Sequence, residues 1–154
     1  MSEIWPTSSE AATRGALKGV HAGDVSRVPG LLLHPGDSVA GALSRSLRSA
    51  DEVIPVTLDG RLVGVVPRLA LALAARVGRH AEPVSVLASR AWVDVDRHAE
   101  LTSVLDALDR ERALLAVVHD EGVPVGVLSR DHLTDLARSS LAALGPTWSQ
   151  RPDA

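Results

Sequence analysis

Sliding the 154-residue sequence along itself by 62 residues lays its second half on its first without a gap. Leu43 meets Leu105, Arg48 meets Arg110 and Val56 meets Val118. Gly60 falls on Gly122, and Val63-Gly64-Val65 falls on Val125-Gly126-Val127. Arg68 then meets Arg130, Leu71 meets Leu133 and Ala75 meets Ala137. Coincident leucines are common in an apolar-rich chain. Coincident glycines at both ends of a short apolar strand are not. A repeat of this length marks one supersecondary unit that cannot bury its hydrophobic face alone. At roughly 50 residues a single copy has too little core to be stable, so two copies should complete each other's interior.

Both copies share one grammar. In the first, Asp37 or Ser38 can cap a helix that puts Val39, Ala42, Leu43 and Leu47 on one face. Val53 to Thr57 reads as a strand, Asp59-Gly60 as a two-residue hairpin turn and Leu62 to Val66 as the returning strand. Pro67 fits the start of a helix over about 68–77 that stops at Gly78. In the second copy the helix covers Glu100 to Arg110, with Leu101, Val104, Leu105 and Leu108 facing in. Leu114 to Val118 and Val123 to Leu128 form the hairpin around Glu121-Gly122. Ser129 caps a closing helix from Arg130 to Leu144. Short strands near Leu31–Leu33 and Trp92–Val95 precede the first helix of each copy. The expected fold is α+β: two β-α-β-β-α repeats related by a pseudo-two-fold axis, with their sheets packed together. The expected boundaries are a tail over 1–15, repeats over 16–80 and 81–144, and a second tail over 145–154.

Composition removes several classes of function. The formal net charge is −3, so a surface that coats polymeric nucleic acid is not expected. Phe and Tyr are absent and Trp occurs three times, at Trp5, Trp92 and Trp148, which leaves no stacking platform for single strands. Cysteine is absent, which excludes a disulfide framework, Cys-ligated zinc and a thiol nucleophile. No apolar run approaches the roughly 20 residues that cross a bilayer, and Met1 to Glu10 has no signal-peptide character. Direct membrane insertion is therefore not expected, and the expected location is cytoplasmic. No nucleophile elbow, P-loop, His-Glu-x-x-His or G-x-G-x-x-G occurs, so the chain is not expected to be an enzyme. His132 and Asp135 share a helix face, but two residues do not make a metal site.

The paired hairpins resemble the tandem cystathionine-β-synthase (CBS) domain pair, the Bateman module. The residues that carry the likeness run from Val53-Ile54-Pro55-Val56 through Asp59-Gly60 to Leu62-Val63-Gly64-Val65-Val66, and from Leu115-Ala116-Val117-Val118 through Glu121-Gly122 to Pro124-Val125-Gly126-Val127-Leu128-Ser129. The lead-in Gly19-Val20, then Gly23-Asp24-Val25-Ser26, fits as well, and the likeness covers about 16–140. The resemblance implies a regulatory or sensor module that needs no cofactor. Such modules take AMP, ADP, ATP or S-adenosylmethionine as regulatory ligands between the repeats, pair into homodimers and control an effector protein. A narrower resemblance, carried by Ala11 to Val25 and Arg68 to Ala72, is to the C-terminal CBS region of actinobacterial site-2-type membrane zinc metalloproteases.

Family members that bind nucleotide place a hydroxyl and, three residues on, a carboxylate at the start of the last helix. The carboxylate accepts the ribose hydroxyls, while phosphate lies near helix N-termini and arginines. Here the second copy has Ser129, Arg130, Asp131 and His132, so His132 stands at the carboxylate position. Asp131 comes one residue early, about 100° away around a helix. A neutral His132 could serve a ribose with one nitrogen donating and one accepting. The first copy has Pro67, Arg68, Leu69 and Ala70, which removes both polar positions. The resemblance thus assigns the ligand to Ser129, Arg130, Asp131 and His132, with Arg68, Val53 and Pro55 contributed by the first copy. Ser129 also suits a plain N-cap, and Arg68 and Arg130 also suit solvated first-turn positions. The alternative is a dimerisation or docking module whose nucleotide sites are relics.

Overall fold

The computed structural model describes residues 15–144, with side chains through Ser139. The tails expected over 1–15 and 145–154, with Trp5 and Trp148, lie outside the described residues apart from Gly15. The first half comprises a single turn α1 (Ala22–Val25), α2 (Val39–Ser46), β1 (Val53–Leu58), β2 (Arg61–Pro67) and α3 (Arg68–Arg76). A short 3-10 turn at Val84–Val86 leads into the second half: β3 (Trp92–Asp96), α4 (Leu101–Glu111), β4 (Leu115–Asp120), β5 (Val123–Ser129) and α5 (Arg130–Leu144).

The two hairpins are copies in detail. Val53 pairs with Pro67 and Leu115 with Ser129, each 62 positions apart. Both ladders slip register at the same step, Val56/Thr57 in one and Val118/His119 in the other. Both turns hold two successive residues at positive φ, Asp59 (51°) with Gly60 (77°) and Glu121 (52°) with Gly122 (81°). That backbone twist matches the twist of the flanking strands, which is why an acidic residue followed by glycine signalled the hairpin.

The halves differ in their first strand. β3 pairs parallel with β4 over five positions, from Trp92 opposite Leu115 to Asp96 opposite His119. The strand expected near Leu31–Leu33 shrinks to one bridge, in which the Leu33 N–H donates to the Pro55 carbonyl at 3.0 Å and Thr57 donates back at 2.8 Å. Pro29 and Pro35 bracket this segment and cannot donate to a ladder. The sheets therefore have two strands and three.

Helix ends follow local chemistry. Ser38 Oγ accepts from the Gly41 N–H at 3.0 Å and caps α2, while Asp37 turns back to accept from His34 N at 2.8 Å. Leu47, expected on the inner face, lies past the last turn of α2 and is 72% exposed. Ser46 takes the buried place, its hydroxyl donating to the Leu43 carbonyl at 2.7 Å. In α4 the four residues read as inward, Leu101, Val104, Leu105 and Leu108, are all buried.

Each sheet gives one face to its own helices. Ile54, Val56 and Val66 join Val39, Ala42 and Leu71 in one core. Ala116, Val118 and Leu128 join Leu101, Val104 and Leu133 in the other. The alternate residues Pro55, Thr57, Leu115 and Val117 point away from these cores and line a shared cleft, as the two-residue period of a strand requires.

Two segments cross between the halves. Leu17 and Ala22 of the lead-in belong to the second core, where Ala22 N donates to Ala99 O at 2.8 Å and Arg27 bridges Val127. The segment after α3 answers it. Val84 N donates to Asp37 O at 2.8 Å, Ser89 bridges Val65, and Val84 sits in the first core. All of these contacts except that of Leu17 have a counterpart 62 positions away. Gly64 and Gly126 mark the crossing points: a Cβ on Gly64 would lie 2.9 Å from Ala88 Cβ, and one on Gly126 would lie 2.7 Å from Ser26 Oγ. The repeated Val-Gly-Val thus records a place where a second backbone passes close by.

Candidate functional site

The cleft between the hairpins has two lobes. The first, of about 250 Å³, is apolar and is walled by Val28, Pro29, Leu32, Pro55, Leu115 and Val117 together with the Pro124–Val127 stretch of β5. The second, of about 310 Å³, is polar and is lined by Arg27, Glu52, Ser129, Asp131, His132, Thr134, Asp135 and Arg138. A much smaller space of about 10 Å³, the neck, shares lining residues with both. Arg27, Glu52 and Ser129 line both neck and polar lobe, while Leu115 and Val127 line both neck and apolar lobe.

The lead-in reaches this neck because Asp51 ties it down. One Asp51 oxygen accepts from Gly30 N at 2.7 Å and from Ser49 Oγ at 3.1 Å. The other lies 4.0 Å from the Arg27 guanidinium. Across the neck, Ser129 Oγ accepts from the His132 N–H at 3.1 Å and caps α5. His132 itself is committed: its Nε2 lies 3.1 Å from the Val25 carbonyl. A carbonyl only accepts, so Nε2 carries a proton, and in the neutral ring Nδ1 is an acceptor. One ring nitrogen therefore remains to meet a ligand.

The residues singled out in the sequence separate into two groups. Ser129, Asp131 and His132 line the polar lobe, Val53 lines the neck and Pro55 lines the apolar lobe. The two arginines lie elsewhere. Arg68 donates to the Ser49 carbonyl at 3.0 Å and pairs with Glu52 at 2.8 Å, and Arg130 pairs with Asp109 of α4. Sequence reasoning missed Arg27, Glu52 and Arg138. Asp131, Asp135 and Arg138 fall at i, i+4 and i+7 on α5, a helical face legible in the sequence. Arg27 had no such signal, since its placement follows from the crossing of the lead-in.

The mirror cleft on the other side of the pseudo-axis has a different lining. Positions 62 residues on from Leu32 and Thr57 are Asp94 and His119, which pair at 2.8 Å. Positions 62 residues back from Ser129, Asp131, His132 and Asp135 are Pro67, Leu69, Ala70 and Leu73. A hydrogen-bonded Asp–His pair thus stands where the apolar lobe has Leu32 and Thr57, and apolar side chains replace Ser129, Asp131, His132 and Asp135 of the polar lobe.

The architecture has solved counterparts. A hemolysin-like protein containing a CBS domain, from Oenococcus oeni PSU, superposes with a TM-score of 0.70 at 21% identity, over 82% of this chain and 96% of that one. The fold is that of a tandem CBS-domain pair. The CBS domain of a bacterial CNNM/CorC family Mg2+ transporter, in complex with ATP, superposes with a TM-score of 0.69 at 15% identity, over 85% of this chain and 96% of that one. The CBS pair of protein MJ0100, in complex with 5-methylthioadenosine and S-adenosyl-L-methionine, gives 0.66 at 15% identity, over 79% and 98%. No protein-family model matches the sequence, and no curated protein matches it significantly. The pseudo-two-fold arrangement read from the sequence is thus an arrangement that other CBS pairs adopt.

Proposed function

We propose that this CBS pair is a regulatory sensor with no chemistry of its own, taking one adenosine-containing ligand per chain in the second-half cleft. The observation that carries this reading is the two-lobed cleft itself. An apolar lobe suits a purine, and a polar lobe beyond the neck suits a ribose and its substituent. Val28, Leu32 and Val117 provide apolar surface for the ring. Beyond the neck, the Nδ1 of a neutral His132 accepts from a ribose hydroxyl, and the Asp131 and Asp135 carboxylates face the substituent that the ribose carries. The mirror cleft has neither lining, hence a stoichiometry of one. Neighbouring CBS pairs solved with ATP and with S-adenosyl-L-methionine support the ligand class.

A ligand in this cleft touches the lead-in at Arg27, the first hairpin at Pro55 and α5 at His132, so binding favours one relative placement of these elements. An associated effector that senses that placement would have its equilibrium shifted by the ligand's differential affinity. Calorimetry with AMP, ADP, ATP and S-adenosylmethionine tests the reading. One binding event per chain, lost in Leu32→Asp, is expected, and no heat with any of the four removes the reading.

A homodimer belongs to the same proposal and has its own observation. Leu69 and Leu73 of α3 and Val77 at its C-cap fall at i, i+4 and i+8 and are 66%, 55% and 72% exposed. Such a stripe on a surface helix suits burial against another protein. It also carries the second reading, a docking module without a ligand, which requires a dimer and an empty calorimetric trace. Light scattering that gives a monomer at high concentration would remove the dimer. Cytoplasmic location is part of the proposal too; among the described residues, no helix is long and apolar enough to cross a membrane.

A further inference from the structure

We propose that the polar lobe selects an adenosine whose side arm carries a cationic centre, an ammonium or a sulfonium, over one that carries a polyphosphate. This rests on the reading that the cleft takes an adenosine-containing ligand, and it deepens that reading from ligand family to ligand charge.

Charge within the lobe is the first argument. Three carboxylates, Glu52, Asp131 and Asp135, face two guanidiniums, Arg27 and Arg138. Two of these five groups already have partners. Arg27 has at 4.0 Å the carboxylate of Asp51, an aspartate whose side chain is 12% exposed, and Glu52 has Arg68 at 2.8 Å. Asp131 and Asp135 have no cationic partner among the described residues, and one arginine, Arg138, stands against the two of them.

The second argument is independent of that count. The arginines at the first helical position of α3 and α5, Arg68 and Arg130, would be the natural phosphate ligands of such a fold. Both are already committed: Arg68 holds the Ser49 carbonyl and, at the edge of the lobe, Glu52, while Arg130 holds Asp109. The positive end of α5 remains, but Asp131 in its first turn already offsets it. A triphosphate entering the lobe would meet two uncompensated carboxylates and one uncommitted arginine. An arm with an ammonium or sulfonium would meet those carboxylates as its counter-charges, and one with its own carboxylate could add Arg138.

The test is calorimetry on the full chain with S-adenosylmethionine, ATP, AMP and adenosine, at low and at high salt. S-adenosylmethionine is expected to bind at least about tenfold tighter than ATP at low ionic strength, with the gap narrowing as salt screens the carboxylates. The double substitution Asp131→Asn with Asp135→Asn should weaken S-adenosylmethionine, strengthen ATP and so close the gap. Both side chains are exposed, and an unchanged thermal midpoint would show that the fold is retained. ATP binding as tightly as S-adenosylmethionine, or tighter, overturns the charge selection and leaves the adenosine reading standing. A gap that survives the double substitution overturns it as well. Silence toward all four ligands, adenosine included, removes the adenosine reading and this inference together.

Discussion

His132 and Val25 lie 107 positions apart in the chain, and the imidazole Nε2 meets the Val25 carbonyl at 3.1 Å. The bond fastens the first turn of α5 to the lead-in immediately before Arg27. His132→Ala removes the donor and leaves a part-buried carbonyl unpaired, at a cost of about 0.5–1.5 kcal/mol. The local effect should exceed the global one. Amide exchange at Gly23 and Arg27, which donate to Arg97 O and Val127 O, should speed up about five- to tenfold. Unchanged protection at both amides would mean that the backbone bridges alone hold the segment.

Gly126 and Ser26 define the closest approach of the crossing segment to a hairpin. Gly126→Ala would put a methyl 2.7 Å from Ser26 Oγ and 2.9 Å from its Cβ, so one backbone must shift. A loss of about 1–3 kcal/mol in urea unfolding is expected. Adding Ser26→Gly removes both clashing atoms and should return a good part of that loss. A double variant no more stable than Gly126→Ala would show that the strain lies elsewhere.

Glu121 sits at φ 52°, a conformation that costs an ordinary L-residue energy and that asparagine tolerates. Glu121→Asn should therefore stabilise the protein by about 0.5–1 kcal/mol, read as a higher denaturation midpoint without a change in slope. The same substitution at Glu111, which lies inside α4, should bring no gain.

Asp37 links acid stability to one loop. Burial pushes its carboxyl up, but the His34 backbone N–H and the Arg45 guanidinium at 2.6 Å outweigh burial and hold it below its ordinary value of 3.8. A carboxyl depressed in the folded state adds stability above its unfolded value. That contribution is lost as pH falls through the lower folded value. Wild type should therefore lose its advantage over Asp37→Asn as pH drops below about 3.8, and keep it undiminished above pH 5. Equal pH profiles for the two proteins would contradict the assignment.

Much of the fold was legible because its determinants are local. Asp59-Gly60 and Glu121-Gly122 dictate a turn by backbone chirality, and the alternation in β1 and β4 dictates which residues reach the cleft. Leu47 misled because helical periodicity does not say where a helix stops, and Ser46 ends α2 by bonding to its own preceding turn. The apolar content of Leu31–Leu33 suggests a strand, but the flanking prolines cut its pairing to a single bridge. In the site, Ser129, Asp131 and His132 were visible as the start of a helix that follows a hairpin. The arginines were not resolved that way. Arg68 and Arg130 carry the repeat signature yet serve neighbouring loops and helices. Arg27 reaches the neck only through a long-range exchange of segments, which no local pattern encodes.

That exchange has a consequence for how the polypeptide is made. Val84 completes the first interior soon after it leaves the ribosome, since its companions from Leu33 to Ala74 precede it. Leu17 and Ala22 must wait for Leu101 through Ala137. The earliest apolar residues of the described chain are thus the last to be covered. Until α5 has been made they stand as an open hydrophobic segment, exposed to chaperones or to the wrong nascent neighbour.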